Sequence, residues 1–326
     1  MRAASYDRYG PAAEVLTVGE VDRPAPAAGE VLVKVALSGG NPTDWECRCG
    51  ATPRPIDGFQ IPHHDGAGVI EAVGDGVDPA RIGQRVWLWL AAAGRRWGTA
   101  AEWSLVPQDQ AVPLPDGASL ELGASLGVPA MTAHWCLFAD GPVSGKTVLV
   151  AGGAGAVGHF AIELAVRGGA RVVATASTPE KLYLARQAGA EHVVNYRDPD
   201  AADQIRAAVG QVDRIIEVAL GTNLALDLAL IKPGSTIVSY AAGPADPVLP
   251  VRACMTANVV LRFILLYGVP RAALRRAAEG ISAALAEGAL TELTAHRVPL
   301  SDSVAAHEWA EAGAETGRLG KVLVTP

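Results

Sequence analysis

Near the middle of the chain an apolar run, Thr147-Val148-Leu149-Val150-Ala151, opens into Gly152-Gly153-Ala154-Gly155-Ala156-Val157-Gly158. Within it Gly153, Gly155 and Gly158 are spaced G-x-G-x-x-G. A strand that breaks into this pattern and restarts as a helix needs glycine for three reasons. One glycine permits the tight turn, a second lets the backbone approach a pyrophosphate, and the third lets helix and strand pack closely. The phosphates then meet N–H groups at a helix N-terminus. Between an apolar strand and an apolar-faced helix, with a second strand following, the pattern predicts a dinucleotide site that takes in Ala156 and Val157. A glycine-rich turn with packing duties alone is the plainer alternative.

The rhythm downstream supports the same reading. Val157–Arg167 has apolar positions on one helical side, and Arg171–Ala176 reads as a buried strand. Helix and strand then alternate through Pro179–Gln187, Glu191–Val194, Ala201–Val209, Val212–Val218, Asn223–Leu230 and Ser235–Tyr240. Such alternation predicts an α/β, Rossmann-type, doubly wound parallel sheet. Residues 1–120 read differently. Short apolar runs (Glu30–Leu37, Ala67–Val73, Gln84–Leu90, Glu102–Val106) are separated by Gly, Pro and Asp clusters, which is β-structure without a long helix. The expected division is a β-rich domain of residues 1–122 and 270–326 interrupted by a dinucleotide-binding domain of residues 123–269.

Composition narrows the function classes. The 326 residues carry 27 basic and 34 acidic side chains, a net charge of −7. The cations are scattered, which argues against a nucleic-acid footprint. The best apolar run, Val259–Tyr267, is interrupted by Arg262 and is too short to span a bilayer. The opening residues lack the apolar stretch of a signal peptide, and the 4 cysteines are too few for a disulfide framework, so a cytoplasmic location is expected.

The second strand of the dinucleotide unit ends Ala174-Thr175-Ala176-Ser177 with no carboxylate to bond a ribose 2′-hydroxyl. Ser177 and Lys181 follow and suit a 2′-phosphate, so NADPH is the expected cofactor. Glu180 reads as the partner of Ser177 in a capping box, with Pro179 early in the helix.

Six segments, in this order, resemble the medium-chain dehydrogenase/reductase superfamily, and within it the zinc-free quinone oxidoreductases similar to zeta-crystallin. They are SGGNPTDW (38–45), IPHHDGAGVIEAVGDGV (61–77), GVPAMTAHW (127–135), VLVAGGAGAVG (148–158), GAEHVVNYRD (189–198) and HEWAEAGAETGRLGKVLV (307–324). Ala156, Glu163 and Trp45 depart from the residues usual there. The resemblance implies a GroES-like fold for the β-rich domain and hydride transfer from NADPH to a quinone. It implies that Asn41, Asp44 and Trp45 line the acceptor cleft, with His64 among the catalytic candidates. It also implies cofactor contacts from Thr132, Tyr196, Gly243 and Lys321, beside the glycine loop, Ser177 and Lys181. Each has a bland reading: Asn41-Pro42 as a turn starter, Asp44 as a cap, Thr132 and Tyr196 as packing, and His64 as a hydrogen-bonded remnant of a ligand.

Zinc-dependent relatives place a Cys where this chain has Asn41 and a Gly-His-Glu where it has His63-His64-Asp65, and the third region, Gly127–Ala130, offers no ligand. A catalytic zinc needs three protein ligands and an open position, so no metal is expected. The alternatives to a quinone reductase are reduction of an enone or alkenal C=C bond and a non-catalytic NADPH-binding redox sensor. The run Val259–Leu266 is expected at a sheet edge, pairing with a second copy in a homodimer. The cofactor reading predicts a lower Kd for NADPH than for NADH by fluorescence titration; tighter binding of NADH reverses the assignment.

Overall fold

The computed structural model describes residues 1–243 and 246–326, and the backbone but not the side chains of Ala314 and Glu315. The chain divides into two compact units, Met1–Val128 with Glu292–Pro326, and Pro129–Thr291.

The first unit is built on a mixed seven-stranded sheet around one long strand, Glu30–Gly40. Its inward residues Val31 and Val33 pack with Ile70, Val86, Leu88 and Val106 in an apolar cluster, the alternation expected of a sheet with one face buried. One edge of this strand pairs antiparallel with Asp65–Val73. The other edge is shared. Trp103–Pro107 pairs with its first half, and the C-terminal strand Lys321–Thr325 pairs with Ser38, Gly39 and Gly40 at its end. That register has a consequence for chemistry. Asp65 lies opposite Gly39, Val322 lies opposite Gly40, and Lys321 is the next residue, level with Asn41.

The second unit carries a six-stranded parallel sheet in the order His192–Asn195, Arg171–Ala176, Thr147–Val150, Val212–Glu217, Ile231–Ser239, Val260–Phe263. The chain winds outward from Thr147–Val150 in one direction, then returns to its other side at Val212–Glu217. The order reverses there, and the C-terminal ends of the strands at such a point form a ligand crevice. Leu149, Val173, Ile215 and Ile237 lie in its buried core. The doubly wound α/β class expected from the sequence is what the chain forms.

Two differences from the sequence reading have physical causes. A short helix, Pro42–Cys49, stands in a stretch read as β-structure joined by turns with no long helix; Asn41 is its N-cap and Pro42 its first residue, so a cap and a pre-set φ start a helix too short to show periodicity. The helix Arg271–Ala286 belongs to the second unit, whereas residues from 270 onward were expected in the first. Gly280 explains why: a Cβ there would lie 2.4 Å from His134 Nε2, so this helix packs tightly against the helix Leu120–Phe138. The unit boundaries accordingly fall at 128/129 and 291/292. No described helix is long and apolar enough to cross a membrane.

Gly39 is the tightest point of the first unit's sheet. An added Cβ would lie 2.0 Å from the Ala124 carbonyl oxygen and 3.1 Å from both Asp65 Cβ and Lys321 Cε. Gly39→Ala is expected to destabilise the protein by about 1–3 kcal/mol, read as a drop in Tm by calorimetry.

Candidate functional site

In the second unit the glycine loop has the geometry of an anion cradle. Gly152 has φ +66°, a left-handed turn that favours glycine. A Cβ on Gly158 would lie 2.3 Å from the Gly152 carbonyl oxygen, and one on Gly153 would lie 2.8 Å from Ala174 Cβ. Gly155 is the N-cap of the helix Ala156–Arg167 and has no side chain to bond the first N–H groups. The first-turn N–H groups, including those of Ala156, Val157 and Gly158, therefore face an incoming anion. The sequence reading asked one glycine of Gly153, Gly155 and Gly158 to make the turn; Gly152, just before them, makes it, and Gly153 is required by packing.

At the neighbouring strand ends Ala176 pairs with Asn195, so Ser177 and Tyr196 emerge side by side. The helix cap there is Thr178, whose hydroxyl accepts from the Lys181 N–H at 3.3 Å. Ser177 was expected to be that cap; the correction follows from Pro179 occupying the first helical turn, which places the cap one residue later. Lys181 lies in the first turn, and the Arg197 guanidinium sits 5.7 Å from the Tyr196 ring centroid. Ser177 and Tyr196 thus adjoin at the strand ends, with Lys181 and Arg197 on the segments that follow them. Arg197 was not singled out from the sequence, because a cation on an exposed loop gives no periodic signal. Thr132 is buried in the helix Leu120–Phe138, and Gly243 lies 3.9 Å, measured from an added Cβ, from Ala219 Cα.

The first unit holds a buried polar cluster at the end of its long strand. Lys321 Nζ donates to Asn41 Oδ1 at 2.6 Å and to Asp65 Oδ2 at 2.7 Å. Asn41 Nδ2 donates to the same Asp65 oxygen at 2.9 Å, and the Val128 N–H donates to Asp65 Oδ1 at 2.7 Å. Every oxygen of the buried Asp65 is therefore satisfied. The resemblance assigned Lys321 to the cofactor; in this structure its ammonium is engaged by Asn41 and Asp65. Asp65 was noticed only as part of a lost ligand motif, and its partner lies 256 residues away in sequence.

Asp44 adjoins this cluster. Its Oδ2 accepts from the Asn41 N–H at 2.7 Å. Burial, then the negative charge of Asp65, pushes its carboxyl up to about 7. His64 faces it, Nε2 to Oδ1, at 4.0 Å, and accepts at Nε2 from the Arg54 guanidinium at 3.2 Å. Burial and the Arg54 charge push His64 down to about 3, so it is neutral. Asp44, His64 and Arg54 line a cavity of about 20 Å³ with Tyr6, Cys47 and Gln60, space for about one water. Trp45 lies on the other side, in a second small cavity shared with Asn41, Asp44 and His307. The structure thus brings Asn41, Asp44, Trp45, His64 and Lys321 into one neighbourhood.

Comparison with known proteins places this geometry. Residues 27–116 match the alcohol dehydrogenase GroES-like domain, and residues 156–283 match the zinc-binding dehydrogenase domain. A quinone oxidoreductase from Mus musculus is 31% identical over 330 residues, covering 99% of this chain and 97% of that protein. The chain belongs to the quinone oxidoreductases of the medium-chain dehydrogenase/reductase superfamily. The Homo sapiens quinone oxidoreductase is 30% identical over 328 residues, covering 99% of this chain and 97% of that protein. A mycobacterial protein solved in complex with NADPH is 30% identical, with a TM-score of 0.85 and full coverage of both chains.

The second of those family descriptions implies zinc, and the donor set does not fit it. At the place of the first ligand stands Asn41, whose oxygen is held by an ammonium. Asp65 is held by the same ammonium. Among the described residues no three His, Cys, Asp or Glu side chains are arranged to hold a metal ion. A fixed cation thus sits where metal ligands are expected in zinc-dependent members.

The raised Asp44 carboxyl makes a pH prediction. Its folded pKa, about 7, lies above its ordinary 3.8, so the folded state binds the extra proton between these values. Stability is then lost as pH rises from about 4 through 7. Thermal denaturation at pH 5 and pH 8 is expected to show a larger Tm decrease for the native chain than for Asp44→Asn, whose amide oxygen can still accept from the Asn41 N–H.

Proposed function

We propose that this chain is an NADPH-dependent oxidoreductase that reduces a quinone without a metal ion. The observation that carries this reading is the Lys321 ammonium held between Asn41 Oδ1 and Asp65 Oδ2. A zinc enzyme needs those positions for ligands that stabilise an alkoxide. A quinone needs no such Lewis acid, because hydride adds to a ring already conjugated to its carbonyls.

The residues fit NADPH in both halves. The glycine cradle and the N-terminus of Ala156–Arg167 would hold the pyrophosphate. Ser177, Lys181, Tyr196 and Arg197 would hold the 2′-phosphate. Thr132 and Gly243 would serve the nicotinamide end. When bound, the reduced nicotinamide supplies a hydride. The first unit then has to orient the acceptor and provide one proton to complete a hydroquinone. Asp44, held neutral up to about pH 7, is the group suited to that proton. His64 is not, since burial keeps its ring unprotonated.

The acceptor test measures NADPH oxidation with 1,4-benzoquinone, 9,10-phenanthrenequinone and a simple alkenal. Turnover of quinones, undiminished by chelators, is expected; turnover of the alkenal alone transfers the assignment to C=C reduction. Loss of turnover on chelation removes the metal-free claim.

The same reading includes a homodimer. The outermost strand of the parallel sheet is Val260–Phe263, a shorter stretch than the expected Val259–Leu266. Phe263 and Leu265 are 66% and 69% exposed, and Met255 and Val260 are exposed beside them. An open apolar edge of this kind pairs with a copy of itself across a two-fold axis. Light scattering is expected to give twice the chain mass, and Phe263→Asp to give a monomer.

A further inference from the structure

Next to the Lys321 cluster the first unit contains a hydrogen-bond chain whose direction can be worked out proton by proton. Thr99 Oγ1 donates to the Asp65 carbonyl oxygen. At its 2.8 Å contact with Ser38 Oγ it can therefore only accept, and Ser38 donates. Ser38 has one proton, so at 2.7 Å from His63 Nδ1 it accepts. His63 carries its proton on Nδ1 and presents a bare Nε2 to His307 Nε2, 3.2 Å away. His307 donates from Nε2 and so begins the chain; its buried Nδ1 is left as a bare acceptor, with no partner among the described residues. That end lies at the small cavity lined also by Trp45 and Asp44. The two rings stack with centroids 5.1 Å apart and planes 14° from parallel.

A second observation bears on His63 independently. Its φ is +75°, in the left-handed region where glycine is the relaxed residue. Here both ring nitrogens are hydrogen-bonded, and the chain they complete ends on the residue whose carboxylate anchors Lys321 and Asn41. Both rings are buried, which holds them neutral: His63 well below the ordinary imidazole range and His307 down to about 3. A neutral pair is what a one-way chain requires.

We propose that His63 and His307 are positioning residues, which fix the Asp65 backbone through Ser38 and Thr99 and thereby set the place of the Lys321 ammonium and the Asn41 amide. The kinetic part of the test rests on the quinone reductase reading; the spectroscopic part does not.

Two-bond nitrogen–proton NMR spectra of the 15N-histidine-labelled full chain report each tautomer directly. The expected result is a proton on Nδ1 of His63 and on Nε2 of His307. The opposite tautomer at either ring, or a charged ring at pH 7, overturns the proposal whether or not any quinone is reduced. With NADPH and 1,4-benzoquinone, His63→Gly removes the chain together with the buried ring that fills its place, so kcat lowered about tenfold is expected, beside a lower Tm from the cavity and the stranded partners. The Kd for NADPH should stay within about twofold of the native value. Should His63→Gly fail to fold, His307→Gln and His307→Leu replace it. Glutamine keeps an N–H donor near the place of Nε2 and is expected to retain more of kcat than leucine. Equal kcat for native and His63→Gly proteins, or for the two His307 variants, refutes the positioning role.

Discussion

The buried ion pair between Lys321 and Asp65 organises the first unit's chemistry. It closes a sheet whose last strand comes from the end of the chain, and it does so in a place with almost no solvent. Removing two charges from water costs several kcal/mol per ion unless hydrogen bonds compensate. Here they do: Asp65 accepts from Lys321, Asn41 and the Val128 N–H, and Lys321 donates to both side chains. Such a pair is weak as a source of stability. Its strength is in specification, because any register other than the observed one leaves a buried charge unmatched.

The neighbouring groups take their states mainly from burial. Burial, and then the negative charge of Asp65, let Asp44 keep its proton up to about pH 7. His64, His63 and His307 are all pressed toward the neutral form by burial. The result is a surrounding of neutral rings beside a compensated ion pair and the Arg54 guanidinium, with one carboxyl able to give a proton. That combination suits a neutral, aromatic acceptor better than an alcohol, whose oxidation calls for an electrophile on its oxygen.

The second unit solves a different problem with backbone alone. Gly152 turns with positive φ, Gly158 lets a carbonyl pass within 2.3 Å of where a Cβ would stand, and the capless start of Ala156–Arg167 presents N–H groups. No side chain caps the helix in this arrangement, and the adjacent strand ends lead into segments that carry Lys181 and Arg197.

Much of this was legible in the sequence. Strand–glycine–helix order and the 3.6- and 2-residue periodicities act over short stretches, so the doubly wound unit and its glycine turn could be read from Thr147 to Gly158 outward. Asn41, Asp44, Trp45 and His64 were reached through resemblance, and the fold gathers them. What the sequence could not give is pairing at a distance. Nothing local at Lys321 says that its ammonium meets Asn41 and Asp65, because that depends on sheet register. Nothing local at His63 says that it adopts a left-handed turn or reaches His307, 244 residues away. Even which glycine makes the turn was settled by φ. Local propensity and periodicity are properties of neighbours in the chain, whereas charge state, tautomer and ion pairing are properties of neighbours in space, and only the tertiary structure decides those.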